Sequence, residues 1–182
     1  MTKRRMLLDA CVLFPTVMRE VLLAVADEGL YEPRWSPRIL EEWARATVKL
    51  GDGAEAIARG EIVQLGLRFP VASIRIREGI EGRLWLPDPA DVHVLAAAIS
   101  GSCDAIVTMN VSDFPLNLLR DEGIERVDPD GFLYGLWLDA PEAVERACAR
   151  VSAEAERLSG MPWEMRKLMK KARLPRLGKA LA

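Results

Sequence analysis

The sequence predicts an α/β fold in which a central, mostly parallel sheet is flanked by helices, with a helical C-terminal extension. Three observations lead there. Short apolar runs of strand length, Met6–Leu8, Ala105–Thr108 and Ile124–Val127, are separated by longer segments with helical spacing. The segments between them open on Ser-Pro or Asp-Pro and close on glycine, as helices do. Strands alternating with helices in this rhythm imply crossover units, and hence parallel pairing.

Taken in order, Met6–Leu8 reads as a buried strand. Pro15 opens a helix that Gly29 ends, with Val17, Val21, Leu22 and Val25 on its apolar face. Tyr31–Trp35 is a short strand that Pro33 confines to an edge. Ser36 caps a helix with Pro37 at its first position. That helix runs to about Leu50, buries Ile39, Leu40, Trp43 and Thr47, and stops at Gly51. Ala54–Leu65 reads as a further helix. Val71–Ile76 alternates like a strand, and the chain from Glu78 reads as loop. Asp88 caps the next helix, Ala90–Ser100, whose middle, Val94–Ile99, is apolar all round and therefore belongs in the core. Pro115–Asp121 is a short helix before Gly123, and Pro129–Leu138 another. Pro141 marks a boundary. It divides the chain into a domain over residues 1–139 and an extension over 140–182, made of a helix to about Ser159 and a basic one from Pro162 that Pro175 breaks.

The 182 residues suffice for one domain with a core and an appendage, and half of them hydrophobic with 29% charged is an ordinary globular composition. The formal net charge of −2 gives the whole molecule no bulk attraction for nucleic acid. The charge is unevenly placed. From Met161 onward seven basic residues face one acidic, so the tail carries +6 and the remainder −8. The three cysteines, Cys11, Cys103 and Cys148, stand in no C-x-x-C spacing, which argues against a disulfide framework or a zinc site and fits a reducing cytoplasm. Asp9 interrupts the first apolar run after three residues, too early for a signal peptide, and no run reaches membrane-spanning length, so no membrane partner is expected.

In such a sheet, ligands gather beyond the carboxyl ends of the strands. The residues there are acidic. Asp9 closes the first strand, Asn110 and Asp113 follow the Ala105–Thr108 strand, Asp91 occupies the first turn of a helix, and Glu42 borders the buried face of another while its neighbour Glu41 projects elsewhere. Two unit charges about 4 Å apart repel by roughly 4 kcal/mol at an effective dielectric of about 20. A convergent group of carboxylates therefore calls for a cation, and Mg²⁺ or Mn²⁺ suits oxygen ligands. Each position also has a plain structural role: a strand-end turn for Asp9, a capping role for Asp88 and Asp91, a turn for Asn110 and Asp113.

Four segments in this order, Leu7-Leu8-Asp9, Ser36 to Glu42, Asp88-Pro89-Ala90-Asp91 to Ala98, and Val107-Thr108-Met109-Asn110 to Phe114, resemble the PIN-domain ribonucleases, and within them the VapC-type toxins of bacterial toxin–antitoxin pairs. The resemblance covers about residues 5 to 135. It implies a three-layer PIN-like fold and Mg²⁺- or Mn²⁺-dependent hydrolysis of RNA phosphodiester bonds. It assigns catalysis to Asp9, Glu42, Asp91 and Asp113, and metal binding to the same four with Asn110. Asn110 stands where the family often has its fourth acid, so either Asn110 or Asp113 takes that place. It further implies a protein antitoxin as partner; homodimerisation stays open.

Other chemistries fit less well. A haloacid-dehalogenase-type phosphatase needs a second aspartate where Cys11 stands, and a ribonuclease working with two imidazoles is excluded because His93 is the only histidine. His93 is expected on the side of its helix opposite Asp91, in a structural role. A degenerate PIN domain that only binds RNA or protein is the alternative that Asn110 keeps open. Trp85 is expected to pack or to anchor a loop, with base stacking as its other use. Arg34, Arg38 and Arg45 are candidate phosphate contacts or ordinary surface charge.

Overall fold

The computed structural model describes residues 2–182. Its elements, in chain order, are β1 (Arg5–Leu8), α1 (Ala10–Leu13), α2 (Thr16–Asp27), β2 (Glu32–Arg34), α3 (Pro37–Ala46) with a 3₁₀ turn (Thr47–Leu50), α4 (Ala54–Arg68), α5 (Ile80–Arg83), a 3₁₀ turn (Pro89–Asp91) leading into α6 (Val92–Ser100), β3 (Ala105–Val107), α7 (Leu116–Asp121), β4 (Glu125–Val127), α8 (Pro129–Asp139), α9 (Pro141–Ser159), α10 (Met165–Lys171) and α11 (Pro175–Ala180). The four strands form one parallel sheet in the order β2-β1-β3-β4, flanked by helices. β1 pairs with β2 through Arg5–Glu32, Met6–Pro33 and Leu7–Arg34, and with β3 through Met6–Ala105, Leu7–Ile106 and Leu8–Val107. The α/β expectation holds, with Pro33 on the edge strand, where its missing N–H costs no ladder bond.

The strand order places a switch of direction between β1 and β3. The chain moves outward from β1 to β2, then returns to lay β3 on the other side of β1. Such a switch opens a crevice at the carboxyl ends of the two strands. Asp9 and Thr108 are the residues that follow those ends.

By packing, the chain forms two compact units: residues 1–14 with 32–126, and residues 15–31 with 127–182. In these units α2 and α8 group with the C-terminal helices. In the first unit, Met6–Leu8 and Ala105–Val107 are fully buried, α6 packs on β3, and α3 packs against α1 and α4. Trp35 and Phe69 meet edge to face at 5.9 Å. In the second unit α2 packs against α8 and α9, which is why it is buried not on one stripe but from Val21 through Ala26. Tyr31 donates its hydroxyl to the Leu22 carbonyl at 2.7 Å and meets Phe132 edge to face at 5.0 Å. Glu28 accepts from Arg146 at 2.9 Å and from Arg150 at 2.6 Å.

Several element expectations need correction. The helix expected to run to Leu50 ends as an α-helix at Ala46 and tightens into a 3₁₀ turn before Gly51, whose φ of 114° only glycine adopts without strain. Leu40 is half-buried rather than core. Val71–Ile76 is not a strand of the sheet. Ala72 and Ile74 do alternate inward, but among the described residues the ladder contact is a single bridge from Ser73 to Trp35, with Trp35 N–H on the Ala72 carbonyl (3.1 Å) and Ile74 N–H on the Trp35 carbonyl (2.7 Å). The segment from Glu78 includes one helical turn, α5. No helix among the described residues is long and apolar enough to cross a membrane.

Candidate metal centre

Asp9 leaves β1 in extended conformation and caps α1. Its Oδ1 accepts from the Ala10 N–H at 2.7 Å, so the capping role is real. Its Oδ2 accepts from the Thr108 hydroxyl at 2.7 Å, across the crevice between β1 and β3, and from the Cys11 thiol at 3.3 Å. Thr108 in turn accepts from the Asn110 N–H at 3.0 Å, which fixes the turn after β3. Asp9 is buried, and that burial raises its pKa above the ordinary carboxylate value; the bonds from Thr108, Cys11 and Ala10 pull the other way, and the charge of Glu42 adds to the rise. Cys11 is pushed up to about 12 by burial and by Asp9, so it is a thiol that donates to the carboxylate and not a nucleophilic thiolate.

Three aspartates converge. Asp88, Asp91 and Asp113 each bring a carboxylate oxygen to within 4.8 Å of the others. The local backbone explains two of them. Pro89–Asp91 is 3₁₀, and in that helix residues i and i+3 eclipse one another, so Asp88 and Asp91 lie on one side. Asp88 caps this turn through Oδ1 on the Ala90 N–H at 2.9 Å. Asp91 stands at the N-cap of α6 but makes no capping bond. Its pKa is raised to about 6, by desolvation first and then by the charges of Asp9, Asp113, Asp88 and Glu42. Asp113 comes from the turn after β3, where Ser112 donates to its Oδ1 at 3.4 Å.

Glu42 and Glu41, adjacent on α3, have different fates. Glu41 is bound by Arg59 at 2.8 and 3.0 Å and by Arg45 at 2.9 Å, which pull its pKa to about 2. Glu42 points instead to His93. His93 Nε2 lies 2.5 Å from Glu42 Oε1, and the Arg38 guanidinium is 4.0 Å from the same oxygen. The imidazole is fully buried and neither ring nitrogen is aligned for a hydrogen bond. His93 is thus a buried imidazole beside Glu42, which fits the expected structural role.

Of the expected site residues, Asp91 and Asp113 thus fall in one carboxylate trio, and Asp9 and Glu42 lie outside it but within electrostatic reach of Asp91. Asn110 uses its backbone in the turn. Asp88 was read only as a cap. The Asp-Pro-x-Asp spacing was the available signal, since one carboxylate can cap with one oxygen and offer the other. Trp85 does not pack: it is 69% exposed. Arg34 pairs with Glu32 at 2.7 Å and Arg38 with Glu81 at 3.6 Å, so the arginines beside α3 already hold carboxylates.

The donor set fits a hard divalent cation. It consists of carboxylate oxygens, without the thiolates or multiple imidazoles that softer metals prefer. The raised Asp91 pKa reflects partial burial first and then the negative charges around it.

Comparison with known proteins agrees with this architecture. Residues 5–112 match the family model described as PIN domain, a span that contains Asp9, Glu42, Asp88, Asp91 and Asn110 and ends just before Asp113. No curated protein and no solved structure matches the chain. PIN domains are generally nucleases that act on RNA. A parallel sheet with acidic residues at its switch point, and a family match over more than half the chain, make this protein a member of the PIN-domain family.

Proposed function

We propose that the chain is a metal-dependent endoribonuclease that hydrolyses RNA phosphodiester bonds, and that it serves as the toxin of a type II toxin–antitoxin pair in the cytoplasm. The observation that carries the catalytic reading is the trio Asp88, Asp91 and Asp113, which would hold Mg²⁺ or Mn²⁺. A divalent ion there supplies a Lewis acid for a phosphoryl oxygen and lowers the pKa of a bound water. Asp9, tied to Thr108, holds the ends of β1 and β3 together and adds negative charge behind the trio. Glu42, which lies beside His93, would accept a hydrogen bond from the attacking water. Cys11, held as a thiol, keeps a proton on the Asp9 side of the crevice. The toxin assignment rests on the four segments that resemble VapC-type proteins.

Incubation with total RNA, with and without EDTA, tests the enzyme. Cleavage in Mg²⁺ or Mn²⁺ that stops on chelation, and that Asp9→Asn loses while its circular dichroism is unchanged, is the expected result. EDTA-resistant cleavage, or full cleavage by both Asp9→Asn and Asp91→Asn, would refute the assignment. RNA binding without any cleavage would favour the non-catalytic alternative. For the toxin role, expression alone should arrest growth, and co-expression with a small neighbouring gene product should relieve it.

A further inference from the structure

The basic tail has no role in the site described above. Its last helix is anchored with care. Asp130, in the first turn of α8 and only 7% exposed, accepts the N–H groups of Arg176 (2.9 Å) and Leu177 (3.0 Å) at the start of α11. Gly178 lets α11 approach α10 closely, since a Cβ there would meet Met169 Cβ at 2.9 Å. The backbone carrying Arg176 and Lys179 is thereby fixed relative to α8.

On α8, Tyr134 and Trp137 stand three residues apart and so share a face. Their rings stack at 5.9 Å with planes 21° apart. The Arg176 guanidinium lies over the Tyr134 ring, 4.9 Å from its centre. These three residues, with Lys179 and Ala180, line a cleft of about 350 Å³. No carboxylate lines it. Glu145 takes the Trp137 indole N–H at 3.4 Å, at the ring edge and not at its face. A second pairing of the same kind, Lys171 at 5.0 Å from the Trp163 ring, lies on the same tail.

A stacked aromatic pair with a guanidinium on one ring, in a cleft that a lysine also lines, matches one ligand chemistry closely. A nucleotide base is planar and apolar on its faces, and its phosphate is anionic. Stacking on aromatic side chains together with contacts from Arg and Lys is how single strands are held without sequence preference. An acidic peptide would use Arg176 and Lys179 but has no need of the stacked rings. We propose that the α8–α11 cleft is a single-stranded RNA subsite, in which a base stacks against Trp137 and its phosphate is met by Arg176 and Lys179. The choice of RNA rests on the nuclease reading, whereas the subsite itself lies within the second unit and uses none of the acidic residues.

Fluorescence anisotropy of a labelled oligouridylate of about ten nucleotides, measured in EDTA to prevent cleavage, tests it. Trp137→Ala should weaken binding at least about fivefold, whereas Trp137→Phe should keep most of the affinity. Arg176→Gln with Lys179→Gln, both exposed and tolerant of change, should flatten the log–log salt dependence by about 1.4. Unchanged affinity in Trp137→Ala and an unchanged salt slope in the double variant would overturn the proposal. So would a labelled polyglutamate peptide that binds through Arg176 and Lys179 while RNA ignores Trp137, which would assign the cleft to an acidic protein. Trp137-dependent binding by a protein that never cleaves RNA would sink the nuclease reading and leave this one standing. Metal-dependent cleavage with Trp137-independent binding would do the reverse.

Discussion

Asp130 and Asp91 are both aspartates in the first turns of helices, and their surroundings differ in kind. Asp130 in the second unit is surrounded by donors: two backbone N–H groups of α11 satisfy its two oxygens. Asp91 in the first unit caps nothing, and partial burial first, then the charges of Asp9, Asp113, Asp88 and Glu42, press its proton affinity upward. The first arrangement spends a carboxylate on holding two helices together. The second holds a carboxylate in a state that only a cation or a proton relieves. Burial alone does not distinguish them, since the better buried of the two is the structural one.

The largest expected effect separates the two by activity. Asp91→Asn should reduce metal-dependent RNA cleavage by at least about a hundredfold, the scale of losing a ligand to a catalytic ion. Asp130→Asn, which keeps an acceptor for α11, should leave it within a few-fold. Equal losses in the two variants would break the comparison.

Stability provides the next contrast. Asp130→Ala strands two N–H groups at the start of α11 and should cost about 1–3 kcal/mol, seen as a melting temperature lower by several degrees. A melting curve unchanged from wild type would mean that Asp130 is not what fixes α11.

The smallest effect sharpens the account of Asp91. Its pKa in the folded, metal-free protein is about 6 against a reference of 3.8, so the folded state binds the proton more tightly. Its contribution is therefore most favourable below about pH 4 and is lost as pH rises through about 6. Asp91→Asn should remove that slope and stabilise the metal-free protein at pH 7–8 by about 1 kcal/mol, once solvent screening of a partly exposed group is allowed for. Denaturant titrations at pH 4 and pH 7.5 in EDTA read this directly. A gain of equal size at both pH values would show that the cost of ionising Asp91 is not its cause. Adding Mg²⁺ or Mn²⁺ should raise the melting temperature of the wild type and not of Asp91→Asn.

How much of this was legible in the sequence depended on the range of the signal. Asp9, Asp91 and Asp113 could be found because each follows a strand end or opens a helix, and strand ends define where a parallel sheet binds. Glu42 could be preferred to Glu41 from helical phase, and the arginines that bind Glu41 explain why the difference matters. Asp88 was lost because its capping role, itself correct, looked sufficient; the 3₁₀ turn that eclipses it with Asp91 is not encoded in helical periodicity. Val71–Ile76 alternates as a strand should, but a strand also needs a neighbour, and only Trp35 provides one. The tail's charge was plain, whereas the cleft was not, because Tyr134 and Trp137 lie some forty residues before Arg176 and Lys179.

The placement of α2 has a consequence for how this chain can be cut. The helix joining β1 to β2 is sheathed by α8 and α9, so its apolar girdle from Val21 to Ala26 depends on residues more than a hundred positions downstream. Ending the polypeptide after Asp139 would keep every acidic residue of the crevice yet strip α9 from that girdle. Such a fragment would be sticky before it was ever inactive, which makes the segment after Asp139 a partner in folding and not a removable handle.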